Sequence, residues 1–258
     1  GAGAVFVLEE LVGRFDARIG LVALGASAGA ITVSQGLLGN ALDFNVVAMA
    51  PGGVRDLLVF LLLGLFAGLL SVGHNRFLLA TLTLVERIEV RVEARAAAIG
   101  AMVGLLAWWV PHLVGGGDAI TQQALNGGPM LVALPALFLF RLVLGSVSYA
   151  AGTPGGLFAP LMVLGAVSGL AFGYVAQAAI PGLSVQPEAF AFVGIAALFA
   201  GTVRAPLTGI VLVIEMTGSA SLLLPLLAAC FGAMLVAETL REAPIYAALK
   251  ARAAQAAR

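Results

Sequence analysis

The segment Gly155-Gly156-Leu157-Phe158-Ala159-Pro160 stands directly before a long apolar stretch that begins at Leu161. Two glycines allow the backbone to bend, and a proline in the first turn of a helix removes no helical hydrogen bond. The N–H groups of Leu157, Phe158 and neighbours such as Gly156 then point out of a helix N-terminus, where the helix dipole favours negative charge. The pattern predicts an anion site made of backbone amides, although an ordinary loop-to-helix turn has the same pattern.

A second segment, Val203 to Gly209, has the same order of small residues, a proline and a predicted helix. Its Arg204 is a candidate anion ligand. An arginine in this setting more often extends to the membrane interface or binds neighbouring carbonyl groups, and we favour that interpretation.

Three glutamates, Glu9, Glu10 and Glu215, follow apolar runs. An ionisable group at the end of a membrane span is often part of a proton relay. For Glu215 we favour a structural hydrogen bond or the aqueous end of a helix. Adjacent residues of a helix point in different directions, so the spacing does not choose between Glu9 and Glu10.

Patterns typical of enzymes are weak in this chain. His74 and His112 are isolated from other metal-ligating residues, so we expect neither a metal nor another cofactor. The run Gly25-Ala26-Ser27-Ala28-Gly29 has the Gly-x-Ser-x-Gly spacing of hydrolase nucleophiles, but close helix packing through small residues explains it better. We predict that the protein is not an enzyme, with an intramembrane enzyme as the remote alternative.

The composition predicts the elements that must position these residues. The 258 residues are 61% hydrophobic and 10% charged, and the mean hydropathy is +1.09. Soluble domains are about half apolar and a quarter charged, so the chain is predicted to be a polytopic membrane protein. Thirteen basic and thirteen acidic residues cancel, and no nucleic acid partner is expected.

Glycine and proline divide the apolar sequence into short segments, which is typical of discontinuous helices that line a site at membrane depth. Basic residues beyond the last segment, between Tyr246 and Arg258, predict a helix that leaves the membrane on the cytoplasmic side. The apolar segments lie at about 1–12, 19–39, 57–73, 97–114, 129–150, 155–181, 189–214 and 221–238.

Two pairs of segments indicate an internal repeat. Gly3–Glu10 aligns without a gap to Gly209–Met216, and Gly29–Val33 aligns to Gly232–Val236 further along the chain. Both matches occur in the same order, which favours a duplication over chance similarity between apolar helices. Duplicated halves allow many transporters to bind a substrate between two pseudo-symmetric pieces.

Together these features resemble the CLC family of chloride channels and chloride/proton exchangers, and the resemblance covers nearly the whole chain. It rests on four segments in the family's order: Gly3–Glu10 for a core helix of the first repeat, Ser148–Pro160 for the Gly-x-Phe-x-Pro anion motif, Val203–Gly209 with Ile214–Thr217 for a late core helix, and Pro244-Ile245-Tyr246 for the final helix.

The resemblance implies an all-α polytopic membrane protein of inverted-repeat architecture, with tilted and discontinuous helices. It implies that chloride binds to the amides of Gly156, Leu157 and Phe158 and to the Tyr246 hydroxyl. Glu10 matches the position that takes up protons from the cytoplasm in the exchangers, whereas channel members usually lack a glutamate there. Chloride/proton exchange is therefore expected, and a passive channel of the voltage-gated type is the alternative.

The resemblance also implies a domain organisation. Residues 1–75 correspond to the C-terminal part of the first inverted repeat, 76–240 to the second repeat with the anion-site helix, and 241–258 to a C-terminal cytoplasmic helix. The family's early helices, with a selectivity loop and a gating glutamate, have no counterpart in these residues. We therefore expect the sequence to be a fragment that lacks the N-terminal helices of a longer protein.

The expected partners are chloride, protons, the lipid bilayer and a second copy of the chain, in a multi-pass protein of a bacterial inner membrane. In the family, helices that match 1–10, 19–39, 205–217 and 221–238 form the dimer contact. Small residues there permit close packing, either between subunits or within one: Gly25, Ala28, Gly29, Gly232 and Ala233.

Overall fold

The computed structural model describes residues 2–12, 17–39, 53–88, 90–128, 131–153, 155–218 and 220–256. These ranges contain helices and helical turns and no β-strand. The α-helices are α1 (Ala2–Phe6), α2 (Ala17–Leu38), α3 (Val54–Glu86), α4 (Val92–Trp109), α5 (Asp118–Leu125), α6 (Leu134–Tyr149), α7 (Phe158–Ala179), α8 (Pro187–Val203), α9 (Pro206–Thr217), α10 (Leu223–Thr239) and α11 (Ile245–Ala256). A π-helical turn, Val7–Val12, continues α1, and Pro111–Leu113 and Leu131–Ala133 form 3-10 turns.

Helix α8 is the centre of the core. Every residue of α8 except Glu188 is buried, as expected for a helix that is apolar on all sides. It crosses α7 so closely that a Cβ atom built on Gly169 would lie 2.1 Å from the carbonyl oxygen of Phe190. Only glycine permits this approach between the two backbones.

Helices α3 and α10 cross in the same way. A Cβ atom on Gly64 would lie 2.2 Å from the carbonyl oxygen of Ala229, and one on Gly232 would lie 2.9 Å from that of Leu61. Gly232 and the fully buried Ala233 therefore pack within the chain.

The small residues of α2 differ from those of α10. A Cβ atom on Gly25 or Gly29 would meet nothing within 4 Å, and Ala28 is exposed. Internal packing therefore accounts for the small residues of α10, and it does not account for those of α2 within the described part of the chain.

Helix α3 is longer than the apolar stretch 57–73 predicted. Its second half contains polar residues that are satisfied in the interior: the Ser71 hydroxyl lies 2.8 Å from the carbonyl oxygen of Ala67 and 3.1 Å from that of Leu198, and the Asn75 amide donates to the carbonyl of Thr202 at 3.3 Å. Hydropathy counts such residues as breaks, whereas their hydrogen bonds allow the helix to continue to Glu86. The repeat boundary predicted after residue 75 falls inside this helix and stays a prediction.

The apolar stretch 189–214 contains two helices. Arg204 adopts the left-handed conformation, with φ of 69°, and ends α8. Pro206 is the first residue of α9. The predicted order of small residues, proline and helix is thus confirmed for the segment Val203–Gly209.

Several helices have the dimensions of membrane spans. Among the residues described, five helical segments are long and apolar enough to cross a bilayer: Arg18–Leu37, Asp56–Glu86, Val92–Trp109, Leu131–Tyr149 and Phe158–Ala179. Helices α8, α9 and α10 are apolar and shorter. Large apolar side chains such as Leu21, Val22, Trp108 and Trp109 are exposed, which is typical of surfaces that face lipid. These features confirm the predicted all-α polytopic architecture.

Candidate anion site

The predicted anion motif forms the start of α7. Phe158 is the first helical residue, and the preceding Gly155 and Gly156 are exposed. The Leu157 side chain is buried in a cluster that includes Leu161 and Phe199. The core therefore holds the beginning of the helix in place, while the backbone just before it stays open.

The N–H groups at this helix end find no acceptor among the described residues. Within the described residues, the N–H groups of Leu157, Phe158 and Ala159 donate to no acceptor, and the first bond of this end runs from Leu161 N to the carbonyl of Leu157 at 3.0 Å. Pro160 has no N–H group. The open donors lie at the positive end of a 22-residue helix, which is the arrangement that binds anions.

The start of α9 has the same local sequence order, but it is occupied. One carboxylate oxygen of Glu9 accepts from Leu207 N at 3.1 Å, and the other accepts from both Thr208 N and Thr208 Oγ1 at 2.8 Å. Glu9, whose role the spacing left open, is thus a cap of α9. The chain's own carboxylate serves as the anion here.

Arg204, beside that helix start, is not an anion ligand in this structure. Its guanidinium donates to the Glu238 carboxylate at 2.7 Å and to the carbonyl oxygen of Glu242 at 3.0 Å. The interpretation of Arg204 as a residue that binds neighbouring carbonyls is confirmed.

Glu215 makes the structural hydrogen bond that the sequence suggested. Its carboxylate accepts from Ala2 N, the first described residue of α1, at 2.8 Å. When Gly3 is aligned with Gly209, Ala2 corresponds to Thr208, and Glu9 corresponds to Glu215. Each glutamate therefore accepts from a backbone N–H of the segment that carries the other, a reciprocity that supports the internal duplication.

The backbone of Glu10 belongs to the π-helical turn Val7–Val12. Its side chain lies outside the described part of the structure, so its role in proton transfer stays a prediction. Turns of this type occur often at functional sites.

An aromatic cluster connects the motif with Tyr246. The ring of Phe6 lies edge-on to Phe158 and Tyr246, with centroid separations of 6.4 and 5.8 Å. Phe158 also contacts Phe199 at 5.0 Å. The structure thus brings Phe158 and Tyr246 into contact with the same ring. Sequence reasoning missed Phe6 and Phe199, because phenylalanines in apolar helices carry no signal of their own.

Arg141 is a second residue that the sequence analysis missed. It is buried in α6, and its guanidinium donates to the carbonyl oxygens of three loop residues, Leu113, Gly115 and Gly116, at 3.0–3.1 Å. It forms no ion pair with a described residue. A charged residue inside an apolar helix is the signal that could have identified it.

A cavity of about 280 Å³ lies beside the start of α7. It is open to both the glycine backbone of the motif and the buried cation, so its surroundings favour negative charge. Its lining includes Arg141, Ser148, Tyr149, Gly155, Gly156 and Pro160.

The geometry gives little support to an enzyme. Among the described residues, no group of three His, Cys, Asp or Glu side chains is placed to hold a metal ion. The Gly-x-Ser-x-Gly run around Ser27 lies inside α2, whereas a hydrolase nucleophile requires a strand-to-helix turn. His74 is buried with its ring nitrogen 3.3 Å from the Asn75 side chain, and His112 is exposed.

Comparisons with known proteins agree with this architecture. Residues 2–238 match the family model described as voltage gated chloride channel. The H(+)/Cl(-) exchange transporter ClcA of Vibrio parahaemolyticus is 36% identical over 256 residues, which cover 96% of this chain and 54% of the relative. ClcA of Yersinia pestis is 35% identical over 259 residues, with 97% and 54% covered. The chain spans about half the length of the curated relatives it matches.

A solved structure shares the fold. The crystal structure of a slow cyanobacterial Cl−/H+ antiporter superimposes with a TM-score of 0.89 at 28% identity, and the match covers 98% of this chain and 60% of that one. The chain belongs to the voltage gated chloride channel family, called CLC below. It is a membrane protein of a family of transport proteins, and the resemblance drawn from its motifs is confirmed.

Proposed function

We propose that the protein exchanges chloride for protons across a membrane, and that the open start of α7 binds the chloride. The observation that supports this most directly is the contrast between two helix starts of similar sequence. That of α9 is filled by the Glu9 carboxylate, whereas that of α7 has no acceptor from the described chain. The relatives at 35–36% identity are exchange transporters by name.

Chloride is held by the amides of Gly156, Leu157 and Phe158 and by the hydroxyl of Tyr246. Backbone dipoles stabilise a dehydrated anion without the strong attraction of a cation in direct contact, so the ion can also leave. Arg141 contributes longer-range attraction, because its charge is buried beside the adjoining cavity.

Protons pass through Glu10. The π-helical turn that contains Glu10 follows α1 directly, and α1 ends at Phe6, whose ring contacts both Phe158 and Tyr246. Through these ring contacts, the segment that contains Glu10 packs against the residues of the proposed anion site. A carboxyl group at the end of a span can bind and release protons as the anion site fills and empties.

The proposed organisation follows the repeat. Residues 1–75 belong to the first inverted repeat, 76–240 to the second, and 241–258 to a cytoplasmic helix, in a multi-pass protein of a bacterial inner membrane. The protein is a homodimer, and α2 contributes to the contact. Exposed small residues on α2, Gly25, Ala28 and Gly29, support this, since the described chain does not cover them.

The test uses the protein expressed from its complete gene, purified and reconstituted in liposomes. An outward chloride gradient is imposed, and proton movement against its own gradient is followed with a pH-sensitive dye. We expect chloride-driven proton uptake in the wild type. Glu10→Gln should keep chloride flux and lose the uphill proton movement, because the amide binds no proton at neutral pH.

The matched control is Glu93→Gln, which removes an exposed carboxylate of α4 and should leave coupling unchanged. Chloride flux with no uphill proton movement in the wild type would contradict exchange and identify a passive channel. Normal coupling in Glu10→Gln would contradict the role given to Glu10.

A further inference from the structure

Helix α11 carries Tyr246, yet it has a small buried surface. Ile245 is fully buried, and Tyr246 and Leu249 pack against the cluster that contains Leu157 and Phe199. Most residues beyond Leu249 are exposed. A helix attached through one turn is free to tilt about that turn unless its other end is also held.

Arg252 holds the other end. Its guanidinium binds the Glu86 carboxylate through two nitrogens, with Nε 3.2 Å from Oε1 and Nη2 paired with Oε2, and its Nη1 donates to Thr83 Oγ1 at 2.9 Å. The Thr83 hydroxyl donates to the carbonyl of Leu79 at 2.9 Å, which leaves a lone pair directed at the arginine. Such a forked contact fixes direction as well as distance.

The segment before α11 is attached to the same helix. Arg76 binds the Glu242 carboxylate at 2.9 Å, and Asn75 donates to the carbonyl of Ala243 at 3.4 Å. Arg76 and Glu86 are ten residues apart on α3, and their partners Glu242 and Arg252 are also ten residues apart. The C-terminal segment therefore lies alongside the last third of α3, in the same direction.

We propose that Arg252 and Glu86 are positioning residues for the anion site, a conclusion that rests on the proposed function. Ile245 is the pivot, and Arg252 lies six residues from Tyr246, roughly 9 Å along the helix. Release of Arg252 lets α11 tilt and displaces the Tyr246 hydroxyl from the anion. A hydrogen bond weakens steeply with displacements of less than 1 Å, so a small tilt is sufficient.

The contact is partly exposed, with 56% of the Glu86 side chain and 27% of the Arg252 side chain accessible. Water and salt screen such a pair, so its loss should have a modest effect. We expect chloride affinity to fall about two- to five-fold in Glu86→Gln and in Arg252→Gln. In the double variant with exchanged charges, Glu86→Arg with Arg252→Glu, the chloride affinity should return most of the way to the wild-type value.

The experiment measures chloride binding by titration calorimetry on the complete purified protein. Arg252→Lys keeps the charge and loses the fork, so it should give an intermediate affinity. Lys250→Gln is the matched control, because Lys250 is an exposed cation of the same helix without an ion pair in the described chain. The chloride affinity of Lys250→Gln should equal that of the wild type.

A double-mutant cycle distinguishes positioning from general destabilisation. In a Tyr246→Phe background the hydroxyl is absent, so Arg252→Gln should cause no further loss of chloride affinity. Additive losses in the double variant would overturn the proposal, as would unchanged affinity in both single variants. If Tyr246→Phe lowers chloride affinity while Glu86→Gln and Arg252→Gln do not, the positioning role fails and the proposed function stands. If the wild type binds no chloride, the proposed function itself fails.

Discussion

The starts of α7 and α9 are similar in local sequence, and they differ in whether a described residue accepts from their N–H groups. Both helices follow a break with small residues, and both have a proline in the first turn. At α9 the free N–H groups receive the Glu9 carboxylate from a segment 198 residues away in the sequence. At α7 the corresponding groups of Leu157, Phe158 and Ala159 receive nothing from the described chain.

The occupied start of α9 is an internal reference for the open start of α7. A carboxylate bound at α9 demonstrates that a helix start of this local sequence binds negative charge in this fold. An N–H group without an acceptor inside a membrane protein carries a free-energy penalty. In the proposed function a mobile anion accepts from the α7 donors and removes that penalty, whereas the Glu9 carboxylate removes it at α9.

The most direct experiment places a carboxylate at the N–H groups of the α7 start, as Glu9 does at the α9 start. A Cβ atom on Gly156 would lie 4.0 Å from Phe158 N and would meet nothing closer. Gly156→Asp therefore introduces a tethered carboxylate within reach of the open donors. We expect chloride affinity to fall by about 100-fold, because an attached competitor acts at high local concentration. Calorimetric titration and chloride efflux from liposomes measure the effect.

The control for this variant is Gly156→Asn, which has the same shape without the charge. It should cause a much smaller loss, because a neutral amide competes weakly with an anion. Equal losses of chloride affinity in Gly156→Asp and Gly156→Asn would indicate that the glycine is needed for space. That result would contradict the analogy with the Glu9 carboxylate at α9.

The second experiment empties the α9 start. Glu9→Ala removes the acceptor of two N–H groups and one hydroxyl and should lower stability by about 2 kcal/mol. The expected decrease in Tm is about 4–8 °C, measured by scanning fluorimetry in detergent. Glu9→Gln, which retains one acceptor oxygen, should show a smaller decrease.

The matched variant is Glu215→Ala. Because the Glu215 side chain is exposed, water can replace it at the Ala2 amide, and the decrease in Tm should be about 1–2 °C. Similar decreases for Glu9→Ala and Glu215→Ala would mean that the two glutamates contribute equally to stability, despite their different burial.

The last experiment concerns the hydroxyl proposed to complete the anion site. Tyr246→Phe keeps the ring that contacts Phe6 and removes the proposed hydrogen bond donor to the anion. The loss of one such bond should weaken chloride binding about three- to ten-fold. An unchanged affinity would exclude the Tyr246 hydroxyl from the site.

Local chemistry explains what the sequence predicted well. The bend before α7, its start near Phe158 and the break before Pro206 depend on glycines and prolines within a few residues, so they can be recognised directly. Tyr246 could be identified only through the resemblance to the family, because an isolated tyrosine near a helix start indicates no function by itself.

Long-range partners explain what the sequence did not predict. The roles of Glu9 and Glu215 depend on helices about 200 residues away, and periodicity within one helix contains no information about them. Arg141 is buried because three loop carbonyls surround its guanidinium. The length of α3 likewise depends on carbonyls of α8 that accept from Ser71 and Asn75.

The glycine crossing between α7 and α8 has a mechanical consequence. At Gly169 the two backbones are so close that α7 can neither slide along α8 nor roll against it without a collision. The helix that presents the open donors is thus immobilised along its body. In the proposed exchange cycle, displacements therefore occur in parts of the chain other than the body of α7.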